Sequence, residues 1–168
     1  MINPEVIERL KNIKIFVDLK GKEDCMHKIA ELTTIKKVKS GETIIKEGDM
    51  GDELYIIHKG SVKVQKKTLQ DELYTVVILK DSYNVYFGEM AIIDNDRRSA
   101  TIIAETDCEL ICLSRNNFIK LCEGDPWMGY KIIMQISKQL VTSLRKMNQD
   151  VITLFEALVS EVEGYGIT

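Results

Sequence analysis

Residues 87–101 read Phe-Gly-Glu-Met-Ala-Ile-Ile-Asp-Asn-Asp-Arg-Arg-Ser-Ala-Thr, and this stretch carries more information about the fold than any other. It combines a glycine that opens a short predicted helix, a carboxylate beside that glycine, and basic residues in the following loop. The N-terminus of a helix leaves backbone N–H groups unpaired and carries a partial positive charge, so it attracts anions. Together these groups can hold one sugar and one phosphate.

Each residue type in this stretch suits one part of such a ligand. Gly88 lets the backbone approach a ligand closely because it has no Cβ, and Ala91 is small for the same reason. Arg98 can offer a charge-assisted, bidentate contact to a phosphate. Glu89 is only an acceptor when ionised, so it suits a ribose hydroxyl and not the phosphate itself.

The stretch resembles the phosphate-binding cassette of the cyclic nucleotide-binding domain family, to which catabolite-activator-type regulators and protein kinase A regulatory subunits belong. The resemblance extends from about Phe16 to the helix that begins near Pro126. It includes the hairpins around residues 40–49 and 54–64, whose turn glycines, Gly48 and Gly60, shape the barrel in the family without touching ligand.

The resemblance implies a role for each matching residue. Glu89 would bind the ribose 2′-hydroxyl and Arg98 the cyclic phosphate, while Ser99 would contribute a contact near that phosphate. Met90 resembles the apolar residue that relays closure of the cassette to the C-terminal helices. The ligand contacts expected within the cassette are Phe87, Gly88, Glu89, Met90, Ala91, Arg98, Ser99 and Ala100.

Two features near the phosphate arginine bear on the ligand. Family members often have proline before this arginine, whereas this chain has Arg97; alignment on the Ser-Ala-Thr end of the stretch assigns the phosphate to Arg98. In the family, threonine directly after the arginine tends to accompany cGMP. Ser99 is common among cAMP binders, so we expect cAMP in preference to cGMP.

Hydrophobic periodicity predicts a mainly β fold with flanking helices. Apolar residues recur at helical spacing in residues 1–34, which indicates an N-terminal helical cap. Residues 35–114 change to short period-two segments separated by glycine, the pattern of an antiparallel jelly-roll β-barrel that contains the cassette at 87–101. The predicted strands include 43–45, 54–57, 62–64, 74–79, 101–104 and 109–113, and residues 115–163 form C-terminal helices.

The loop before the cassette departs from the family pattern. Relatives usually carry glycine here, whereas this chain has the slightly long segment 80–86. Asn84 could adopt the left-handed conformation instead of a glycine.

The last helix begins at Asp125-Pro126, with aspartate at the cap and proline in the first turn. Its apolar residues step by three or four, which favours a homodimer through this helix over packing against its own barrel. Relatives reach the adenine amino group with a Thr-Ser pair on this helix, and Thr142 and Ser143 lie one position away from that pair. The stepping residues are Ile133, Ile136, Leu140, Leu144, Met147, Val151, Leu154 and Leu158.

Composition excludes several classes of function. The net charge of −3 argues against a nucleic-acid surface, and no apolar run has the length of a membrane span. We expect a cytoplasmic protein whose four cysteines are reduced. Cys108 and Cys112 share one face of a strand, and the two histidines, His27 and His58, lack metal-ligand spacing relative to the cysteines. No metal, cofactor or enzymatic activity is therefore expected.

The sequence favours a standalone cyclic nucleotide sensor that signals occupancy to an unknown downstream protein. The chain as given ends without a recognition helix, so direct transcriptional control is not expected. The alternative is a degenerate domain of the same fold that acts as a scaffold or binds another anionic ligand.

Overall fold

A computed structural model describes residues 3–68, 70, 72–94 and 96–165. The described residues form five α-helices: α1 Pro4–Lys11, α2 Glu23–Glu31, α3 Met90–Ile93, α4 Arg115–Gly124 and α5 Pro126–Tyr165. Two 3-10 helices cover Lys14–Leu19 and Asp81–Tyr83. The strands are β1 Thr33–Val38, β2 Thr43–Ile45, β3 Glu53–Lys59, β4 Ser61–Lys67, β5 Leu73–Lys80, β6 Tyr86–Phe87, β7 Thr101–Ala104 and β8 Cys108–Ser114.

The strands form two antiparallel sheets. One has the order β1-β8-β3-β6 and the other β2-β7-β4-β5. The predicted mainly β fold with a long C-terminal helix is confirmed, and every predicted strand is present. The two sheets do not close into a barrel as predicted. Among the described residues no hydrogen-bonded ladder joins them, and they meet through side chains instead. The two-residue strand β6 was not predicted, because so short a segment has no measurable periodicity.

The β1-β8-β3-β6 sheet is covered on both faces. In β3, Tyr55 and Ile57 enter the core between the sheets, whereas Leu54 and Ile56 enter a second core with the helices. This follows from the two-residue period of a strand, and it explains why the central strands are apolar at nearly every position. Cys108 and Cys112 both lie in the core between the sheets, which confirms their predicted shared face.

The C-terminal helices begin where the sequence predicts. Asn117 donates its backbone N–H to the Ser114 hydroxyl at 3.2 Å, and Met128 donates to Asp125 at 3.1 Å, so both helices have side-chain caps. Helix α5 packs on the fold through Met128, Ile132 and Ile136. From residue 140 to residue 162 every side chain of α5 is exposed.

The loop before the cassette is held by an arginine of the cap. The Arg9 guanidinium donates to the carbonyls of Ile57 (2.6 and 2.9 Å), His58 (3.3 Å) and Asp81 (2.7 Å), and to the side-chain oxygen of Asn84 (2.8 Å). Asn84 is in the left-handed conformation, with φ 52°, as its sequence position predicted. One side chain therefore joins α1, the end of β3 and the segment leading into β6.

We expect Arg9→Met to lower the free energy of unfolding by about 2–3 kcal/mol, because partly buried carbonyls lose a charged donor. Urea titration followed by circular dichroism measures this change. Lys11→Met is the matched control, since Lys11 makes only ion pairs with the exposed carboxylates of Glu8 and Glu23. Equal losses in both variants would contradict a special role for Arg9.

Candidate functional site

The predicted cassette begins with a tight turn at Gly88, and no other residue could adopt this backbone conformation without strain. Gly88 has φ 78°, and a Cβ at this position would lie 2.8 Å from Arg98 Nη1 and 2.9 Å from the Glu53 carbonyl oxygen. Helix α3 follows as a single turn, in which Ala91 is buried and donates its N–H to the Gly88 carbonyl at 3.3 Å. So short a helix has only a small dipole, so the positive charge of this site comes chiefly from Arg98.

Arg98 points inward and bridges two segments of backbone. Its Nη2 donates to the Glu53 carbonyl at 2.9 Å and its Nη1 to the Gly88 carbonyl at 3.3 Å. Its guanidinium carbon also lies 5.9 Å from the centre of the Tyr55 ring. A guanidinium has five N–H donors, so three remain for a ligand. The arginine is thus positioned before any ligand arrives.

The neighbouring arginine faces the other way. Arg97 is exposed and donates from Nη1 to the Gly48 carbonyl at 2.8 Å. The backbone of Arg98 exchanges hydrogen bonds with the same turn, donating to the Asp49 carbonyl and accepting from the Gly48 N–H, both at 2.9 Å. This pairing fixes which of the two arginines enters the site.

Sequence reasoning missed a second glycine that the site requires. A Cβ at Gly51 would overlap the Arg98 side chain, so any other residue here would force the guanidinium out of its present position. Its only signal in the sequence is a glycine three residues after Gly48 in a loop that needs only one for its turn.

A small cavity of about 220 Å³ lies beside Arg98. Phe87 forms part of the adjoining core, where its ring stacks on Tyr55 with 5.3 Å between centroids. The Tyr55 hydroxyl donates to the Glu53 carboxylate at 2.7 Å. The cavity is lined by Ile44, Ile45, Lys46, Asp49, Met50, Gly51, Asp52, Glu53, Tyr55 and Arg98.

Glu89 is half-buried, and its environment affects its charge. Burial raises the pKa of the Glu89 carboxyl, while its own backbone N–H and the positive charge of Arg98 act in the opposite direction. Burial and the nearby Glu89 also raise the pKa of the Tyr86 phenol. The Glu89 carboxylate therefore occupies a desolvated position close to Arg98, where a hydrogen-bond donor from a ligand would stabilise its ionised form.

The other predicted contacts are exposed or half-buried. Met90 and Ser99 are exposed, and Ala100 is half-buried. Thr142 and Ser143 lie on the exposed part of α5. Thr142 donates its hydroxyl to the Lys138 carbonyl at 2.9 Å and lines a different cavity, next to Tyr86, so the structure does not bring it to the cavity beside Arg98.

Two other observations concern the described part of the chain. It contains no group of three or more histidine, cysteine, aspartate or glutamate residues that could hold a metal ion. Nor does any helix there combine the length and apolar content that a membrane span requires.

Comparison with known proteins gives the site a family context. The model of the family described as "cyclic nucleotide-binding domain" matches residues 35–125. The cAMP-dependent protein kinase type II regulatory subunit of Drosophila melanogaster is 27% identical over 156 residues, which are 93% of this chain and 39% of that protein. The cGMP-dependent protein kinase of Plasmodium berghei is 40% identical over 93 residues, which are 54% of this chain and 10% of that protein.

A solved structure shows the same fold. The catabolite activator protein of Thermus thermophilus superimposes with a TM-score of 0.73 at 25% identity, covering 84% of this chain and 62% of that one. The chain spans less than half the length of the two kinase-related relatives named above.

We predict that Glu89→Gln raises the melting temperature at about pH 8 and leaves it unchanged below the ordinary glutamate pKa of about 4.3. Because the folded protein has the raised pKa, the stability contributed by protonated Glu89 is present at low pH and is lost as pH rises through that pKa. Thermal unfolding across this range measures the difference. Glu156→Gln, on the exposed part of α5, is the control and should leave the melting temperature nearly unchanged. A destabilised Glu89→Gln at about pH 8 would contradict the assignment.

Proposed function

The chain belongs to the cyclic nucleotide-binding domain family, and from this premise we propose that it is a non-catalytic sensor that binds cAMP in preference to cGMP. Occupancy of the site passes to a partner protein through the C-terminal helices. The observation that carries this proposal is Arg98, which is held in place by two carbonyls and keeps three N–H donors next to a desolvated Glu89.

The two charged groups divide the ligand between them in this proposal. Arg98 binds the cyclic phosphate through charge-assisted hydrogen bonds, and Glu89 accepts from the ribose 2′-hydroxyl. Gly88 and Ala91 let the backbone come close to the phosphate, and Ser99 supplies a hydroxyl. The preference for cAMP rests on Ser99, since named relatives include both a cAMP-dependent and a cGMP-dependent kinase protein.

One observation favours the alternative, a domain of this family that binds no cyclic nucleotide or binds another ligand. The cavity beside Arg98 includes three carboxylates, those of Asp49, Asp52 and Glu53. Carboxylates repel an anion unless a cation lies between them, so the position of Arg98 determines whether a phosphate is accepted.

Isothermal titration with cAMP and with cGMP tests the proposal. We expect Arg98→Gln to weaken binding by about 10–100-fold, the loss of a charge-assisted contact of roughly 1.5–3 kcal/mol. Arg97→Gln removes the same charge from the exposed neighbour and should leave affinity nearly unchanged. Circular dichroism of each variant separates lost binding from lost folding.

Two results would contradict the sensor. Absence of heat with either nucleotide, on protein shown to be ligand-free, would favour the alternative. Equal losses in the Arg97 and Arg98 variants would show that only net charge matters.

We further propose that the chain forms a homodimer through α5. Residues 140–162 extend from the fold as about 34 Å of exposed helix, at 1.5 Å per residue. Its heptad positions are large, apolar and exposed, and a second copy of the helix would cover them. These positions are Leu140, Leu144, Met147, Val151, Leu154 and Leu158.

In the proposed dimer, charged residues at the heptad positions of α5 should prevent association. Sedimentation should show a concentration-dependent dimer, and Leu144→Lys with Leu154→Lys should give a monomer because buried unpaired charges are costly. Gln149→Lys with Glu156→Lys places the same residues on the opposite face and should remain dimeric. A parent protein that is monomeric at all concentrations would contradict the proposal.

A further inference from the structure

A second cavity lies on the far side of the sheet from Arg98. It measures about 310 Å³, is open to solvent on one side, and is bordered by the first 3-10 helix, the loop before the cassette and helix α5. We call it the α5 cavity. Its lining residues are Lys14, Asn84, Val85, Tyr86, Gln135, Lys138, Gln139 and Thr142.

The charge of the α5 cavity has one sign. Lys14 and Lys138 line it, and none of its lining residues is acidic. Within the described residues neither lysine forms an ion pair with a carboxylate. Both lysines are exposed, and the cavity beside Arg98 differs from the α5 cavity because carboxylates line it. Two unneutralised ammonium groups at one concave site attract an anion.

The neutral polar groups of this cavity also present donors. Asn84 accepts from Arg9 through its side-chain oxygen at 2.8 Å, so its NH₂ group remains a donor. Gln139 accepts from the Tyr86 hydroxyl through its side-chain oxygen at 2.6 Å, so its NH₂ group also remains a donor. Because arginine can only donate, the orientation of the Asn84 amide is fixed by its partner.

We propose that the α5 cavity is a binding site for a small anionic molecule that carries a phosphate or carboxylate group. The two ammonium groups supply charge, and the amides of Asn84, Gln135 and Gln139 supply directional hydrogen bonds. A volume of about 310 Å³ is at the lower end of the range for ligand pockets, so the ligand is a small molecule and not a protein segment.

This site is separate from the cyclic nucleotide site proposed above. In β6, Phe87 enters the core between the sheets, on the side of Arg98, whereas Tyr86 enters the core with the helices. The anion would therefore contact the side of β6 that faces the helices, whereas the proposed cyclic nucleotide site lies on the side that faces the other sheet. Anion binding at the α5 cavity does not depend on binding of a cyclic nucleotide.

Heteronuclear NMR titration of the full chain tests the site, with inorganic phosphate and succinate as probes and chloride to match ionic strength. We expect saturable shifts of the backbone amides of Tyr86, Gln135 and Gln139. Lys14→Gln with Lys138→Gln should weaken this binding by about tenfold or more, because each ammonium is a charged donor. Lys20→Gln with Lys146→Gln removes equal charge from exposed positions that do not line the cavity, and this variant should retain the binding.

Further arms separate this site from others. Arg98→Gln should retain the phosphate-induced shifts at Gln139, which shows that they do not arise from anion binding at Arg98. Tighter binding of phosphate assigns a phosphate ligand, and tighter binding of succinate assigns a carboxylate. Shifts that stay linear and match those with chloride, or that survive in Lys14→Gln with Lys138→Gln, would overturn the proposal.

Discussion

The hydrogen bonds from the Arg98 guanidinium to the carbonyls of Glu53 and Gly88 are the interaction on which the site depends. They join the start of β3 to the turn before α3, and both segments must leave room for the side chain. Gly51 and Gly88 are glycines for this reason, since a Cβ at either position would strike the guanidinium. The arrangement places a cation with free donors beside Glu89 and holds the Arg98 side chain in position before a ligand binds.

The sheet β1-β8-β3-β6 separates two chemical environments. On its inner face, Phe87 and Tyr55 stack close to Arg98. On its outer face, Tyr86 bonds to Gln139 of α5. In the sensor that we propose, a change in the conformation of the cassette would act on the long helix through Phe87 and Tyr86, because β6 alternates between these faces. Such coupling needs a ligand that binds two conformations with different affinities.

The sequence predicts what local chemistry determines. Turn glycines divide the strands, Asp125 caps α5, and Asn84 replaces a glycine in the left-handed conformation. The open edges of the two sheets were not predictable, because hydrogen bonding between strands depends on distant pairing. The same holds for Arg9, whose acceptors lie 48 to 75 residues away, and for Thr142, whose place on α5 depends on how that helix crosses the sheet.

A crystal structure of the chain with cAMP is the sharpest test of the proposed site. We predict cyclic phosphate oxygens about 2.7–2.9 Å from the Arg98 guanidinium, with the ribose 2′-hydroxyl on Glu89. Arg98 should also keep its hydrogen bond to the Glu53 carbonyl. A nucleotide bound elsewhere, with Arg98 still bonded only to the two carbonyls, would show that Arg98 is not the phosphate-binding residue.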